Sequence, residues 1–362
     1  MITRATKPTT DRRRRATRIV SGAAVLAVVA VIAGCSASDP VPTEAGITPT
    51  AGFGSDYVTP APTVPAPLRG TLVPAGSLTG PSLAAKIDNH EEARPQIGLE
   101  RTDIVFEELV EGGLTRYVAI WQSDVPDLIG PVRSIRPMDP DILSSFGGIV
   151  AFSGGQEQFV DMMRAAPVYS AIHGQADTDS TFYRMDGRTS PHDVVVKATE
   201  LVAQHADLAT PVQQFAYSWD VASSTAVTQG TATSAVDVVF SDERYPGWDW
   251  DAAAGVFLRT QEGGPDYDTN GDQLSAVNVV TLRVDEVYDY DAEVPQAVLV
   301  ASGEATVSTG GRTVHATWVK DAPTAPIRLI DDLGATVRLA PGNTWIELVP
   351  EESGSVTVVP AA

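Results

Sequence analysis

The sequence predicts an α+β or α/β N-terminal domain with a mixed sheet, followed by an all-β C-terminal domain. In residues 68–215, apolar runs with the two-residue period of strands are interspersed with helical patterns. In residues 236–360 the composition changes to Val, Thr, Gly and Asp, and closely spaced turn signals separate short apolar runs, as in a β-sandwich or barrel. Residues 216–235 are rich in Ser, Thr and Ala and are predicted to link the two domains.

Residues 1–34 have the pattern of a lipoprotein signal peptide. A basic segment at 11–18 precedes an apolar run at 19–32, which is shorter than the roughly 20 residues of a membrane-spanning helix. The run leads into Val-Ile-Ala-Gly-Cys at 31–35, where one branched and two small residues precede Cys35, as in a lipobox. We therefore expect cleavage before Cys35 and acylation of its sulfur, for example with palmitate. The alternative is an ordinary secretory leader beside an unrelated cysteine, and the clustered arginines leave export by the Sec or the twin-arginine route open.

Residues 35–67 are rich in Pro and Thr and predict a disordered tether between the lipid and the first domain. Cys35 is the only cysteine, so no disulfide can form within the chain. The leader and the tether together predict a protein at the outer face of the bacterial cytoplasmic membrane. The membrane is then a partner through the lipid on Cys35.

The charge of the chain restricts its partners. The formal net charge is −21, and residues 1–34 hold seven basic residues and one acidic residue, so the exported part is still more negative. Such a charge repels nucleic acid and anionic lipid headgroups. Nucleic-acid binding is therefore not expected, and a local cluster of arginines would be an exception in this chain.

Periodicity and turn residues assign the elements of the first domain. Residues 103–111 and 114–122 predict a hairpin around Gly112-Gly113. Strand alternation puts Glu107 on an apolar face, where Arg116 is the nearest candidate partner. The remaining elements are predicted strands at 82–88 and 148–152 and predicted helices at 140–146, 156–165 and 193–205.

The second domain contains one segment that resembles a metal site. Asp266, Asp268 and Asn270 match the start of a calcium-binding loop. Val277 occupies the position of its terminal acid, however, and the Asn270-Gly271 pair more simply predicts a hairpin turn. Strands are predicted at 236–241, 256–259, 277–287, 297–309, 312–319, 327–330, 335–339 and 344–349.

Eight polar residues at strand ends and in loops of the first domain form the candidate ligand-binding set. They are Asp88, Arg94, Glu107, Arg116, Arg133, Ser134, Arg136 and His192. Pro131 and Pro137 favour a loop or sheet edge in which Arg133 and Arg136 can converge. Because arginines suit carboxylate and phosphate groups, we expect an arginine-lined cleft for an anionic ligand of the cell envelope. The alternative is a buried ion-pair network that holds the loops.

Catalysis and metal binding are less favoured. The chain has no Gly-x-Ser-x-Gly elbow, and its five histidines include no His-x-x-x-His pair. We therefore assign no catalytic residue, no metal and no cofactor. Two other functions remain open: a cell-envelope hydrolase or transferase that uses Asp88, Glu107 or His192, and a scaffold that docks an envelope protein.

Several short motifs together resemble one family. They lie at 86–90, 93–98, 103–107, 110–116, 129–136, 191–192, 269–271, 278, 317–320 and 341–345. In these motifs the sequence resembles the YerB-like lipoproteins, a family of unknown function with a separate C-terminal β domain. The resemblance covers most of residues 70–350 and implies the two-domain order and a turn at 269–271, but no reaction. Asp193 stands where the family has asparagine, so the resemblance implies no role for an amide there.

Overall fold

Strands dominate both halves of the computed structural model, which describes residues 59–362. The predicted signal peptide, Cys35 and the tether as far as residue 58 lie outside the described residues. Order begins before the predicted boundary at 67, because Thr63–Pro65 pairs with Leu72–Pro74. No helix within residues 59–362 is long and apolar enough to cross a membrane.

The N-terminal region contains ten strands from residue 59 onward. These are β1 (Thr63–Pro65), β2 (Leu72–Pro74), β3 (Leu83–Asp88), β4 (Ile104–Leu109), β5 (Thr115–Trp121), β6 (Leu128–Ile129), β7 (Ile149–Phe152), β8 (Tyr169–Ile172), β9 (Phe182–Arg184) and β10 (Val194–Lys197). Its helices are α1 (Asp139–Leu143), α2 (Glu157–Ala165) and α3 (Ala198–Gln204), and short 3-10 turns lie at Glu91–Ala93, Leu99–Arg101 and Glu111–Gly113. Because the helices are short, this region is largely sheet, and the predicted α+β description fits it only loosely.

The C-terminal region is a domain of strands, as predicted. After α4 (Thr225–Gln229) come β11 (Thr231–Val239), β12 (Pro246–Asp251), β13 (Val256–Gln261), β14 (Gly264–Pro265), β15 (Ser275–Ala276), β16 (Asn278–Val284), β17 (Glu286–Val287), β18 (Gln296–Ala297), β19 (Ser302–Thr309), β20 (Arg312–Val319), β21 (Arg328–Asp331), β22 (Thr344–Pro350) and β23 (Ser355–Pro360). The sequence pattern missed β12, β14, β15 and β23, and the predicted strand at 335–339 is not one of these elements.

One mixed sheet of 16 strands runs through both regions. Its main path is β14-β13-β12-β11-β20-β19-β16-β22-β4-β5-β3-β7-β8, with β15, β21 and β23 paired beside it. In the N-terminal part, β3 pairs antiparallel with β5 and parallel with β7. At the centre, β22 of the C-terminal region pairs parallel with both β4 and β16. The predicted linker, 216–235, contains α4 and the start of β11.

The predicted helix at 193–205 is wrong in its first turn. Residues Val194–Lys197 form β10, which pairs antiparallel with β6 and β9, and the helix covers only Ala198–Gln204. Three consecutive valines explain the difference, because β-branched side chains pack well on a pleated surface and lose rotamer freedom in a helix. This strand holds the preceding loop, which carries His192, against the sheet.

Hydrophobic clusters cover both faces of the central sheet. On β4, Ile104 and Phe106 belong to one buried cluster, while Val105 and Leu109 belong to the other. Successive side chains of a strand point to opposite faces, so each cluster fills one face. The two faces therefore provide separate environments for any charged side chain within these strands.

Candidate functional site

Three adjacent strands bring polar side chains together at one end of the sheet. In the register of β3, β4 and β5, Arg116 lies opposite both Asp88 and Glu108. The loop after β6 runs along β3, since Asp88 N donates to Pro131 O (2.9 Å) and Arg133 N donates to Lys86 O (2.8 Å). This pairing carries the side chain of Arg133 to Asp88.

Asp88 is the hub of this cluster, and its side chain is almost fully buried. Its Oδ2 atom lies 2.6 Å from His192 Nδ1 and 3.1 Å from Arg133 Nε. Its Oδ1 atom accepts a hydrogen bond from His90 N at 3.1 Å. The rings of His90 and His192 stack with centroids 4.5 Å apart. We call Asp88, Arg116, Arg133, Arg136 and His192 the Asp88 cluster.

The three arginines of the Asp88 cluster differ in how well they are bonded. Arg116 Nη1 donates to Ser134 O (2.7 Å), and Arg136 Nε donates to Glu111 Oε2 (2.7 Å). The Nη atoms of Arg133, whose side chain is 21% exposed, have no hydrogen-bond partner within residues 59–362. Burial first, and then the nearby charges of Arg136 and Arg133, lower the pKa of Arg116 to about 10. The guanidinium groups are therefore crowded, and one of them has free donors.

Two predicted members lie outside the Asp88 cluster. Glu107 points to the opposite face of the sheet, where its Oε2 accepts from Arg259 Nη2 at 2.6 Å. The predicted pairing of Glu107 with Arg116 is thus wrong, because Arg116 shares a face with Glu108. Arg94 donates to Asn89 Oδ1 (3.0 Å) and Glu262 Oε2 (2.7 Å), so it bridges the N-terminal and C-terminal regions. Ser134 contributes its carbonyl oxygen to the cluster.

Arg259 is the centre of a second, fully buried network that the sequence analysis did not identify. Besides Glu107, it contacts Asp266 (3.0 Å) and Glu347 (3.2 Å). Its guanidinium carbon lies 4.7 Å from the ring centroid of Trp345 and 5.2 Å from that of Trp248. A charged residue in the middle of a strand was the only signal, and nothing local identified its partners. This network is closed and structural in character.

The face of the Asp88 cluster continues into buried ion pairs. Lys86 is paired with Glu108 and lies 2.8 Å from Asp139 Oδ1. Asp139 Oδ2 also accepts from Arg136 N at 2.5 Å, which fixes the arginine loop against α1. Burial, followed by the charge of Asp139, raises the pKa of Glu108 to about 8. These buried residues hold the loop that carries Arg136 in place, through the contact between Asp139 and the Arg136 backbone.

The segment 266–272 is a hairpin turn. Asp268 N donates to Asp272 O (3.0 Å), and Gly271 has a φ of +91°, which favours glycine. Asp266 binds Arg259, and Asp268 Oδ2 accepts from Leu99 N at 2.9 Å. The prediction of a turn is confirmed, and both acids of the calcium-like pattern are committed to partners in the protein.

Two large cavities lie away from the Asp88 cluster. One, of about 490 Å³, is lined by Tyr217, Trp219 and Arg338, among others. The other, of about 610 Å³, is lined by residues between α1 and β8 and in the segment after α3. Neither includes a residue of the Asp88 cluster, so the predicted arginine-lined cleft is not one of these cavities. The cluster presents its free donors at the surface.

Comparisons with known proteins match nearly all of the described chain. Residues 70–210 match a family described as "Protein of unknown function (DUF3048) N-terminal domain", and residues 236–346 match its C-terminal domain. A protein of Bacillus subtilis, "Putative lipoprotein YerB", is 26% identical over 309 residues, which are 79% of this chain and 86% of the relative. The crystal structure of YerB from Bacillus subtilis has the same fold, with a TM-score of 0.70 at 22% identity over 81% of this chain and 99% of that chain.

Proposed function

The chain belongs to the YerB-like family that these two domains define, and on this premise we propose that it is an extracytoplasmic lipoprotein that binds an anionic ligand through the Asp88 cluster. The name of the Bacillus subtilis relative supports a lipid anchor. The lipobox-like residues 31–35 support the same anchor from this chain's own sequence. The ligand is then a component of the cell envelope, such as a peptidoglycan fragment, a polyphosphate polymer or a carboxylated sugar.

The free guanidinium end of Arg133 is the observation that carries the proposal. Its Nη atoms can form a bidentate pair with a carboxylate or phosphate without breaking an existing hydrogen bond. Besides burial, the charges of Arg136 and Arg133 lower the pKa of Arg116, so an added anion would relieve repulsion among the three cations. The chain has a net charge of −21, so a group of three arginines contrasts with its strongly negative overall charge.

Calorimetric titration of the full chain in detergent, with soluble peptidoglycan fragments and with polyphosphate, tests the proposal. We expect Arg133→Gln to weaken binding by about 10- to 100-fold, since charge-assisted hydrogen bonds contribute about 1.5–3 kcal/mol. Arg101→Gln is the matched control, because Arg101 is a partly exposed arginine paired with Asp124 elsewhere on the surface. Equal losses in both variants, or no binding of either probe, would contradict the proposal.

A hydrolase or transferase is the second candidate, and the contact between Asp88 and His192 favours it. A carboxylate that orients an imidazole through Nδ1 leaves Nε2 available as a general base. Turnover of purified peptidoglycan by the wild-type chain, lost in His192→Gln, would favour this candidate over simple binding. Intact peptidoglycan after prolonged incubation would remove it for that substrate.

A further inference from the structure

We propose that His90, Glu92 and His192, the last of which belongs to the Asp88 cluster, bind a Zn²⁺ ion at the edge of that cluster. Each residue offers one ligand atom, and the three atoms lie within 4.8 Å of one another. Two imidazoles and one carboxylate form a donor set that zinc accepts, and three protein ligands leave a fourth position for water or substrate. The two histidines are far apart in the sequence. They meet because the loop that follows β3 and the loop that precedes β10 pack together, which stacks the two imidazole rings.

His192 is already oriented as a metal ligand. Its Nδ1 atom is hydrogen-bonded to Asp88 Oδ2 at 2.6 Å, and a carboxylate can only accept, so Nδ1 carries the proton. In the neutral ring, the lone pair is then on Nε2, which lies 3.8 Å from Glu92 Oε2. Two acceptors that face each other in this way can both bind a cation placed between them. A carboxylate behind the histidine is also the usual outer partner of a metal-bound imidazole.

The spacing of these two atoms suits zinc after a small movement. Zinc lies about 2.0–2.2 Å from nitrogen and oxygen ligands, so two ligands at a tetrahedral angle are roughly 3.3–3.6 Å apart. The 3.8 Å between His192 Nε2 and Glu92 Oε2 is slightly wider. Glu92 is exposed and can supply the movement, whereas His192 is held by Asp88.

His90 must exchange a hydrogen bond for the metal. Its Nδ1 atom accepts from Glu92 N at 3.1 Å and so caps the 3-10 turn Glu91–Ala93. Ligation through Nδ1 replaces this bond directly, and ligation through Nε2 moves the proton to Nδ1, which removes the acceptor. Zinc binding should therefore loosen the first turn after His90. This gives a structural readout that is independent of any activity.

Isothermal titration of the full chain with ZnCl₂, in detergent and without phosphate, tests the site. Every protein used carries Cys35→Ser, because a free thiol would itself bind zinc. We expect one ion per chain, and affinity lower by at least the roughly 10- to 100-fold that loss of an outer partner of a ligand costs, or undetectable, in His192→Gln and in Glu92→Gln. His315→Gln is the matched control: His315 is also surrounded by acids, with Asp332 at 2.5 Å and Glu304 at 3.7 Å, but lies on β20.

Several outcomes would overturn this inference: no zinc binding by the parent chain, binding unchanged in His192→Gln, or binding lost in His315→Gln. Thermal melts without metal show whether each variant folds, and Co²⁺ in place of Zn²⁺ reports the ligand geometry through its visible absorption. Hydrogen exchange at residues 90–93 should increase on zinc addition in the Cys35→Ser parent and in His315→Gln, but not in His192→Gln or Glu92→Gln.

The same measurements keep the metal site separate from the proposed anion site. Arg133→Gln removes no zinc ligand, so we expect it to retain zinc binding. Anion titrations of protein freed of metal by a chelating resin, with no chelator in solution, examine the arginines without metal. Loss of zinc binding with intact anion binding would therefore concern the metal site alone, and the converse would concern only the arginines.

Discussion

Glu107 and Glu108 are consecutive buried residues of β4, and their partners lie on opposite faces of the sheet. Glu107 Oε2 accepts from Arg259 Nη2 at 2.6 Å, whereas Glu108 is paired with Lys86. Strand β4 thus supplies one acid to the closed network around Arg259. It supplies the next acid to the buried ion pairs of Lys86, which lie beneath the Asp88 cluster. The two networks are separated by the backbone of the sheet itself.

The acids around Arg259 should differ in their contributions to stability. Burial first, and then the charge of Glu107, raises the pKa of Glu347 well above its ordinary value, and we therefore expect Glu347 rather than Glu107 to hold a proton in the folded protein. We expect Glu347→Gln to change the free energy of unfolding by less than about 1 kcal/mol, because an amide resembles a protonated carboxyl. Glu107→Gln should cost about 3–5 kcal/mol, since it deprives a buried guanidinium of its nearest anion.

Urea unfolding of the full chain in detergent at pH 7 measures both values. Equal losses in the two variants would mean that both acids are ionised in the folded protein. A large loss in Glu347→Gln alone would reverse the assignment of the proton.

The alternation of β4 was predictable from sequence, but the partners of its acids were not. The pattern correctly put Glu107 on the face of Val105 and Leu109. The sequence analysis predicted Arg116 as the partner of Glu107 because Arg116 is near in sequence. The hairpin register instead places Arg116 opposite Glu108. Sequence proximity across a hairpin favours such an error, because a shift of one residue changes the face.

Long-range partners account for the rest of what the sequence could not predict. Arg259 reaches Glu107 only because β22 joins the two regions of the sheet. His90 and His192 meet because the loop before β10 packs beside the end of β3. Neither relationship leaves a local pattern, whereas the hairpin and the C-terminal strands follow from periodicity and turn residues.

Two adjacent glycines before β7 should respond differently to alanine. Both have left-handed φ, +65° for Gly147 and +69° for Gly148. A Cβ on Gly148 would lie 2.3 Å from Ser82 O, the acceptor of Ile149 N, whereas a Cβ on Gly147 meets nothing closer than 4.0 Å. We expect Gly147→Ala to cost about 1 kcal/mol through backbone strain and Gly148→Ala about 3 kcal/mol or more.

Chemical denaturation of the two alanine variants gives the comparison, and each is the control of the other. Similar losses would mean that the approach of Ser82 to this turn can relax. In that case the pairing of β3 with β7 would not depend on glycine at 148.

Acylation of Cys35 should decide where the exported chain is found. If the lipobox is read as proposed, the wild-type chain has the mass of residues 35–362 plus acyl groups and sediments with membranes. Cys35→Ser should remove the acylated mass, because serine has no sulfur to acylate. The replacement Ser36→Ala, one position later, is the control and should retain both the acyl groups and the sedimentation with membranes. Mass spectrometry and membrane fractionation provide the readouts, and an unacylated Cys35 in wild type would refute the anchor.

Glu286 should make stability depend on pH. Both of its carboxylate oxygens are buried without a hydrogen-bond partner among the described residues, and burial raises its pKa from 4.5 to about 7. The folded state therefore holds a proton that the unfolded state releases between pH 4.5 and 7. Below pH 4.5, Glu286 is protonated in both states and its ionisation does not affect the free energy of unfolding. As pH rises from 4.5 to 7, its ionisation in the unfolded state lowers the free energy of unfolding, by a total of about 2–3 kcal/mol above pH 7.

Replacing Glu286 with glutamine should remove this dependence, because the amide does not ionise. We expect Glu286→Gln to match the wild type within about 0.5 kcal/mol near pH 4.5 and to be more stable by about 2 kcal/mol at pH 8. Urea unfolding at both pH values measures the difference between variant and wild type, which cancels the titration of other groups. Glu293→Gln, at an exposed position between β17 and β18, should give the same difference at both pH values. A Glu286→Gln difference that does not change with pH would show that this carboxyl is ionised in the folded protein at little cost, through water that reaches its oxygens.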